Sequence, residues 1–290
     1  RGKTTMNGPH QGGWIHTKYG EDWFIHFQDK GPYGRVCHLQ PVDWSSGWPV
    51  MGNAGEPYWK FRKPKSDSKT IVNPVETDEF DSSKLGMQWQ WQNDYKESYG
   101  QATSMGFFRL FTYALPELGD VSNLWYVPNM LLQKTPADEF TATTKLSFCS
   151  RNSDQYVGLV CMSAEYSSVG LQRAEDGYEL QIRHNPNAMR THLTDEVLTV
   201  DTLKPTQKGT PRKGRPAEMH IKDVYLRMSI KDSKVNYAYS IDGKKWKKAG
   251  GEYAMGKGRW IGSKIGFFAV DPNKTGRKGF IDIDWFRISR

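Results

Sequence analysis

No stretch of this 290-residue chain approaches the ~20 consecutive apolar residues that a membrane-crossing helix requires, so no membrane partner is expected. A disulfide framework is missing too: Cys37, Cys149 and Cys161 are odd in number and show no close metal-ligand spacing. Cys149 and Cys161 lie in apolar strand-like runs, which predicts small core residues rather than reactive thiols. Helical periodicity is nowhere persuasive, which argues against an α or α/β fold. The opening Arg1-Gly2-Lys3 carries no initiator Met, no apolar signal core and no cleavage signature, and it reads as a start in mid-protein.

The composition points to short strands and many turns. Aromatic residues are abundant, with 11 Trp, 14 Tyr and 13 Phe, beside 28 Gly and 15 Pro. The net charge of +8 raises nucleic acid as a partner. Its distribution argues against one, because Lys204, Lys208, Arg212, Lys213 and Arg215 concentrate the excess in one Gly/Pro/Thr-rich segment that reads as a mobile loop.

Residues 13–17, 22–28, 35–41 and 48–51 form four short strand-like runs separated by glycine-bearing turn clusters. Four antiparallel strands in about 40 residues is the size of one propeller blade, which cannot close a ring or cover both its faces. Residues 63–77 read as a linker, with the boundary near Thr77. Beyond it, strand signals recur at 107–113, 140–148, 156–162, 178–184, 224–231, 235–241, 265–270 and 280–288. That spacing predicts two packed antiparallel sheets over 78–290, with a hairpin turning at Asp242-Gly243 toward Trp246.

Specific motifs name a family. Gly8-Pro9-His10-Gln11-Gly12-Gly13-Trp14, the run Asp22 through Asp29, Tyr33 through Pro41, and Trp44 with Gly47-Trp48-Pro49-Val50 resemble the last blade of family 43 glycoside hydrolases. Phe80, Leu85-Gly86, Trp89-Gln90-Trp91, Gly158-Leu159-Val160, Gly258-Arg259-Trp260-Ile261-Gly262 and Asp282-Ile283-Asp284-Trp285-Phe286-Arg287 resemble the sandwich that follows that propeller. The resemblance implies an all-β chain: the last blade of a five-bladed β-propeller over 1–62, then a jelly-roll or concanavalin-like β-sandwich. It implies inverting hydrolysis of arabinose- or xylose-containing plant polysaccharide by an acid and a base held far enough apart to admit water. In the family those carboxylates lie on earlier blades, so no catalytic residue is assigned here. The missing N-terminal blades are the expected partner, the chain alone is expected to be inactive, and the substrate class favours a secreted or periplasmic location.

Binding candidates follow from chemistry and resemblance together. Arg35 matches a family arginine that faces the sugar, where a guanidinium fork grips hydroxyls or a carboxylate; its plainer reading is an ion pair with Asp29 or Glu21. Gln28 ends the second strand within reach of the axial pocket, and Trp14 offers an indole for stacking on a sugar or for the core. By resemblance, His10 helps hold a central calcium; because calcium prefers oxygen ligands, its plainer reading is donation to a backbone carbonyl near the propeller axis. Strand alternation puts Asp282 and Asp284 on one face and Ile281, Ile283 and Trp285 on the other. A structural calcium shared with Asp78 or Glu79 would suit that acidic pair, as would solvent exposure or pairing with Arg287 and nearby lysines. The sandwich reads as a support, with a non-catalytic carbohydrate-binding protein as the alternative.

Overall fold

The computed structural model describes residues 5–6, 10–115, 123–190, 194–212, 214–258, 260–273 and 275–290, apart from the His10 side chain. By its contacts the chain forms two compact units, 1–73 with 259–262, and 74–258 with 263–290.

In the first unit β1 (His10–His16), β2 (Asp22–Asp29), β3 (Arg35–Asp43) and β4 (Val50–Met51) make one antiparallel sheet in sequential order. A register shift between His10 and Gly13 kinks β1. The Asp29 carboxylate accepts the Gly31 N–H at 2.9 Å and so closes an Asx turn. Glu21 accepts from the Lys65 backbone N–H at 2.8 Å and pairs with Arg62. Those two contacts, the backbone one first, hold its carboxyl below the usual range.

The second unit is a two-sheet antiparallel sandwich. Its early strands are β5 (Gln90–Trp91), β6 (Gly100–Ala102), β7 (Phe108–Phe111), β8 (Tyr113–Ala114), β9 (Leu131–Lys134), β10 (Phe140–Ser150), β11 (Tyr156–Met162) and β12 (Tyr166–Arg173). They are followed by β13 (Tyr178–Asn185), β14 (Glu196–Leu203), β15 (Gln207–Lys208), β16 (Met219–Lys231), β17 (Lys234–Ser240), β18 (Lys247–Ala254), β19 (Lys264–Asp271) and β20 (Phe280–Ser289). Among the described residues one sheet runs β18-β17-β16-β10-β20-β7-β6, with β15 on β16. The other runs β14-β13-β12-β11-β19-β9-β5, with β8 on β19.

Burial patterns explain why each strand sits where it does. In β10 buried and half-buried residues alternate along most of the strand, as one core face and one outer face require. In β11 every residue is buried, because its far face is covered by a cluster that includes Leu124, Val127, Met130, Tyr166 and Ala188. The predicted hairpin is β17–β18: Gly243 takes φ 71° and the Asp242 carboxylate accepts the Lys244 and Lys245 N–H groups at 2.8 Å each. Those two bonds lower the Asp242 pKa to about 2.

One expectation is corrected on β20. The pairing of β10 with β20 shifts between Lys145 and Leu146, so Lys145 lies opposite Trp285 and Leu146 opposite Ile283. This bulge at Asp284 changes the strand's phase. Ile281, Ile283 and Phe286 are therefore fully buried, whereas half-buried Trp285 joins Tyr225 and Arg287 in ring contacts at 6.2 and 4.2 Å.

Candidate functional site

Strand register decides which blade candidates share a face. Trp14 lies opposite Phe24, and Gln28 opposite Val36, so Trp14, Phe24, His26, Gln28 and His38 line one side of the sheet. Arg35, paired with Asp29, falls on the other side with Phe27. Along β2, Trp14 and Gln28 are separated by four residues, about 13 Å. The three sugar candidates are thus not brought together.

Each has a definite environment. The Trp14 indole donates to Asp22 at 2.8 Å, packs on Trp44 at 5.3 Å and remains 60% exposed. Gln28 donates its amide to the Thr5 carbonyl at 2.8 Å, and among the described residues its own side-chain oxygen is buried without a hydrogen-bond partner. His26 and His38 stack at 5.3 Å, each with a buried Nε2 that has no partner among the described residues. Burial first, then the His26 and Lys30 charges, lower the His38 pKa.

Arg35 has the most organised surroundings. Its guanidinium lies 4.3 Å from the Phe27 ring centroid and 5.0 Å from that of Trp260, with Nη1 donating to Gln11 at 3.1 Å. Its Nε is buried without a hydrogen-bond partner among the described residues. Neither acid considered as a partner from sequence takes it: Asp29 closes its own turn and Glu21 pairs with Arg62. The 260–262 segment is fixed within the same unit by the Arg35 N–H, which donates to the Trp260 carbonyl at 2.9 Å. Gly34 at φ 76° and Gly262 at φ 74° meet so closely that a Cβ on Gly34 would stand 2.5 Å from the Ile261 carbonyl carbon. Only glycines allow that approach. Trp260 stays 66% exposed, with the Arg35 cation over its ring. The sequence reading missed this partnership, since Trp260 stands 225 positions from Arg35; its signal was the glycine-flanked tryptophan in the 258–262 motif.

The acidic candidates do not form a cation cage. Asp282 accepts a two-pronged grip from Arg109 at 2.7 and 2.8 Å, while Lys145 holds Asp284 at 2.8 Å. Asp78 accepts from the Phe80 N–H at 2.9 Å, from Trp89 at 2.7 Å and from Gln88 at 3.2 Å, and Glu79 is gripped by Arg287 at 2.8 Å. These donors already satisfy the oxygens that calcium would need, so the residues do not fit a shared calcium. The His10 side chain lies outside the described residues.

The long antiparallel sheets, packed face to face and joined to a separate four-stranded unit, define a concanavalin-like sandwich with an appended small sheet. The chain belongs to the family of beta-xylosidase C-terminal concanavalin A-like domains, whose model matches residues 77–289. A putative beta-xylosidase of Xylanibacter ruminicola is 30% identical over 92% of this chain and 45% of its own length. A beta-xylosidase of Formosa agariphila is 27% identical over 91% of this chain and 45% of its own length. The crystal structure of the GH43 protein BlXynB from Bacillus licheniformis superposes with TM-score 0.74 at 25% identity, covering 96% of this chain and 52% of that one. The chain therefore spans about half the length of the relatives it matches. No helix among the described residues is long and apolar enough to cross a membrane.

Proposed function

We propose that this chain is the C-terminal part of a glycosidase that hydrolyses O-glycosidic bonds in xylose- or arabinose-containing polysaccharide, with xylose the favoured sugar. The observation that carries the reading is the Arg35 site. A guanidinium set between two aromatic rings keeps its planar fork in one orientation, and a buried N–H without a protein partner is costly unless something else accepts from it. A sugar hydroxyl or an acidic group of the active centre supplies that acceptor, and the exposed Trp260 indole offers a face for sugar C–H groups. The beta-xylosidase names of the relatives support the xylose preference.

In this reading the acid and base carboxylates are contributed by the rest of the glycosidase, with this chain orienting the sugar. Arg35 fixes hydroxyl or carboxylate position, Trp260 excludes water from one side, and Gln28 and Trp14 act elsewhere on the same sheet. Structural calcium belongs to the proposal at His10 alone. The test is a graft: residues 1–290 replace the matching portion of the Xylanibacter ruminicola protein, and the product is assayed for p-nitrophenol release from a xyloside. A soluble graft that turns over substrate, and loses at least tenfold in kcat/KM on Arg35→Ala, supports the proposal. A folded graft that is active but indifferent to Arg35→Ala removes the site from it, and a folded but inert graft contradicts the whole reading.

A further inference from the structure

On the outer face of the sandwich, away from Arg35 in sequence and in unit, three chemically matched side chains converge. Cys149 near the end of β10 lies directly opposite His220 near the start of β16. Glu218, two residues before His220, reaches the same point. One ligand atom from each of the three lies within 4.8 Å of the others, the one such grouping among the described residues. The Cys149 sulfur is 3.5 Å from His220 Nε2, and that nitrogen is 2.9 Å from a Glu218 oxygen.

We propose that Cys149, His220 and Glu218 form a site for a zinc-like divalent cation with three protein ligands and one open position. Thiolate, imidazole and carboxylate are the donors that borderline-soft cations favour over calcium. Tetrahedral bonds of about 2.3 Å to sulfur and about 2.0 Å to nitrogen place those two atoms about 3.5 Å apart. The observed separation equals that, so these two ligands are preset. The nitrogen–oxygen pair, held at 2.9 Å by a hydrogen bond, opens by about half an ångström when the cation takes the proton's place. The remaining Glu218 oxygen is gripped by Arg151 at 2.8 Å, which fixes the carboxylate's direction. The open position faces a cleft of about 300 Å³ lined in part by Phe107, Phe280, Asp282 and Asp284.

Loading proceeds with the Cys149 thiol releasing its proton to solvent as the sulfur takes the cation, while the His220 ring proton leaves Nε2 for Nδ1 or for solvent. Burial, and next the Glu218 charge, push that thiol up to about 12 in the empty site. The cation therefore has to drive most of the ionisation itself, with the nearby Arg151 charge favouring the thiolate. The arrangement joins β10 and β16 across the sheet and is independent of the glycosidase reading.

The experiment uses the full 290-residue chain and cobalt as a coloured surrogate. One equivalent of cobalt should produce a thiolate-to-cobalt charge-transfer band that zinc bleaches and that Cys149→Ser abolishes. Zinc affinity measured by chelator competition should fall at least tenfold in His220→Gln and in Glu218→Gln, and fall by less in Arg151→Gln. Glu218 and Arg151 are half-exposed, so their variants report on the site even where Cys149→Ser disturbs the core. Absence of the band at stoichiometric cobalt overturns the proposal, as does a band or zinc affinity unchanged by Cys149→Ser and Glu218→Gln, which would assign the metal to exposed Cys37 or elsewhere.

Discussion

The two units place their apolar residues in opposite ways. Among the described residues of the first, the buried hydrophobics are Met6 and Trp23, while Trp14, Ile25, Trp48 and Trp59 are exposed and Trp48 is 74% so. The sandwich buries Leu110, Phe148, Phe267, Phe268 and Phe286 almost completely, and even its buried polar groups are arranged in a network. Gln155 shows this. Its side-chain oxygen accepts from the Arg151 and Asn152 N–H groups, and its amide donates to Asp271, Thr112 and the Arg277 carbonyl. Among the described residues, Arg35, Gln28, His26 and His38 of the first unit each keep a buried polar atom without a partner, as do Asn129, Tyr156, Arg173, Asp195 and Arg277 of the much larger sandwich. A sheet that buries so few of its apolar residues is built to be completed, whereas a sandwich with a densely packed core stabilises itself.

The largest expected effect that would break this contrast is in hydrogen exchange. Backbone amides of β10, β11, β16 and β19 should exchange only on global opening, and those of β1 to β3 about a hundredfold faster or more. Equal protection would mean that the first unit is stabilised as fully as the sandwich. Truncation of a core side chain comes next: Phe267→Ala should cost about 3–5 kcal/mol in denaturant unfolding. The matching change at exposed Trp48 should stay within about 0.5 kcal/mol. A large loss at Trp48 would show that its face is already covered.

Gln155→Ala should be intermediate. It strips acceptors from two buried N–H groups and a donor from Asp271, an expected loss of about 1–3 kcal/mol by thermal melting. The smallest effect belongs to the β17–β18 turn. Because the Asp242 pKa is lowered to about 2, its contribution is present above the ordinary aspartate value of about 4 and disappears as pH falls toward 2. Asp242→Ala should therefore lower Tm by a few degrees at neutral pH and by much less near pH 2. A deficit that persists undiminished at pH 2 would locate the effect in backbone propensity rather than in the carboxylate's hydrogen bonds.

Much of the strand content was readable because period-two burial leaves a direct mark, as in β10 and β17, and because Asp242-Gly243 specifies its turn chemically. Strands β12 and β14 escaped notice: Tyr166–Arg173 carries small Ser and Gly residues that pack in the interior, and Glu196–Leu203 is an exposed outer strand without a strong apolar pattern. The phase change on β20 was invisible too, since a bulge is a property of paired strands rather than of one. Site residues were legible one at a time. Which of them meet depends on tertiary pairing, so Arg35 with Trp260, and Cys149 with His220, came only with the structure.

The most direct test of the central claim is an assay of the purified 290-residue chain, with calcium present, on p-nitrophenyl xyloside and arabinofuranoside. The account predicts no release of p-nitrophenol, because the acid and base belong to the remainder of the glycosidase. Sustained turnover that survives repurification would contradict it and place both catalytic carboxylates within these residues.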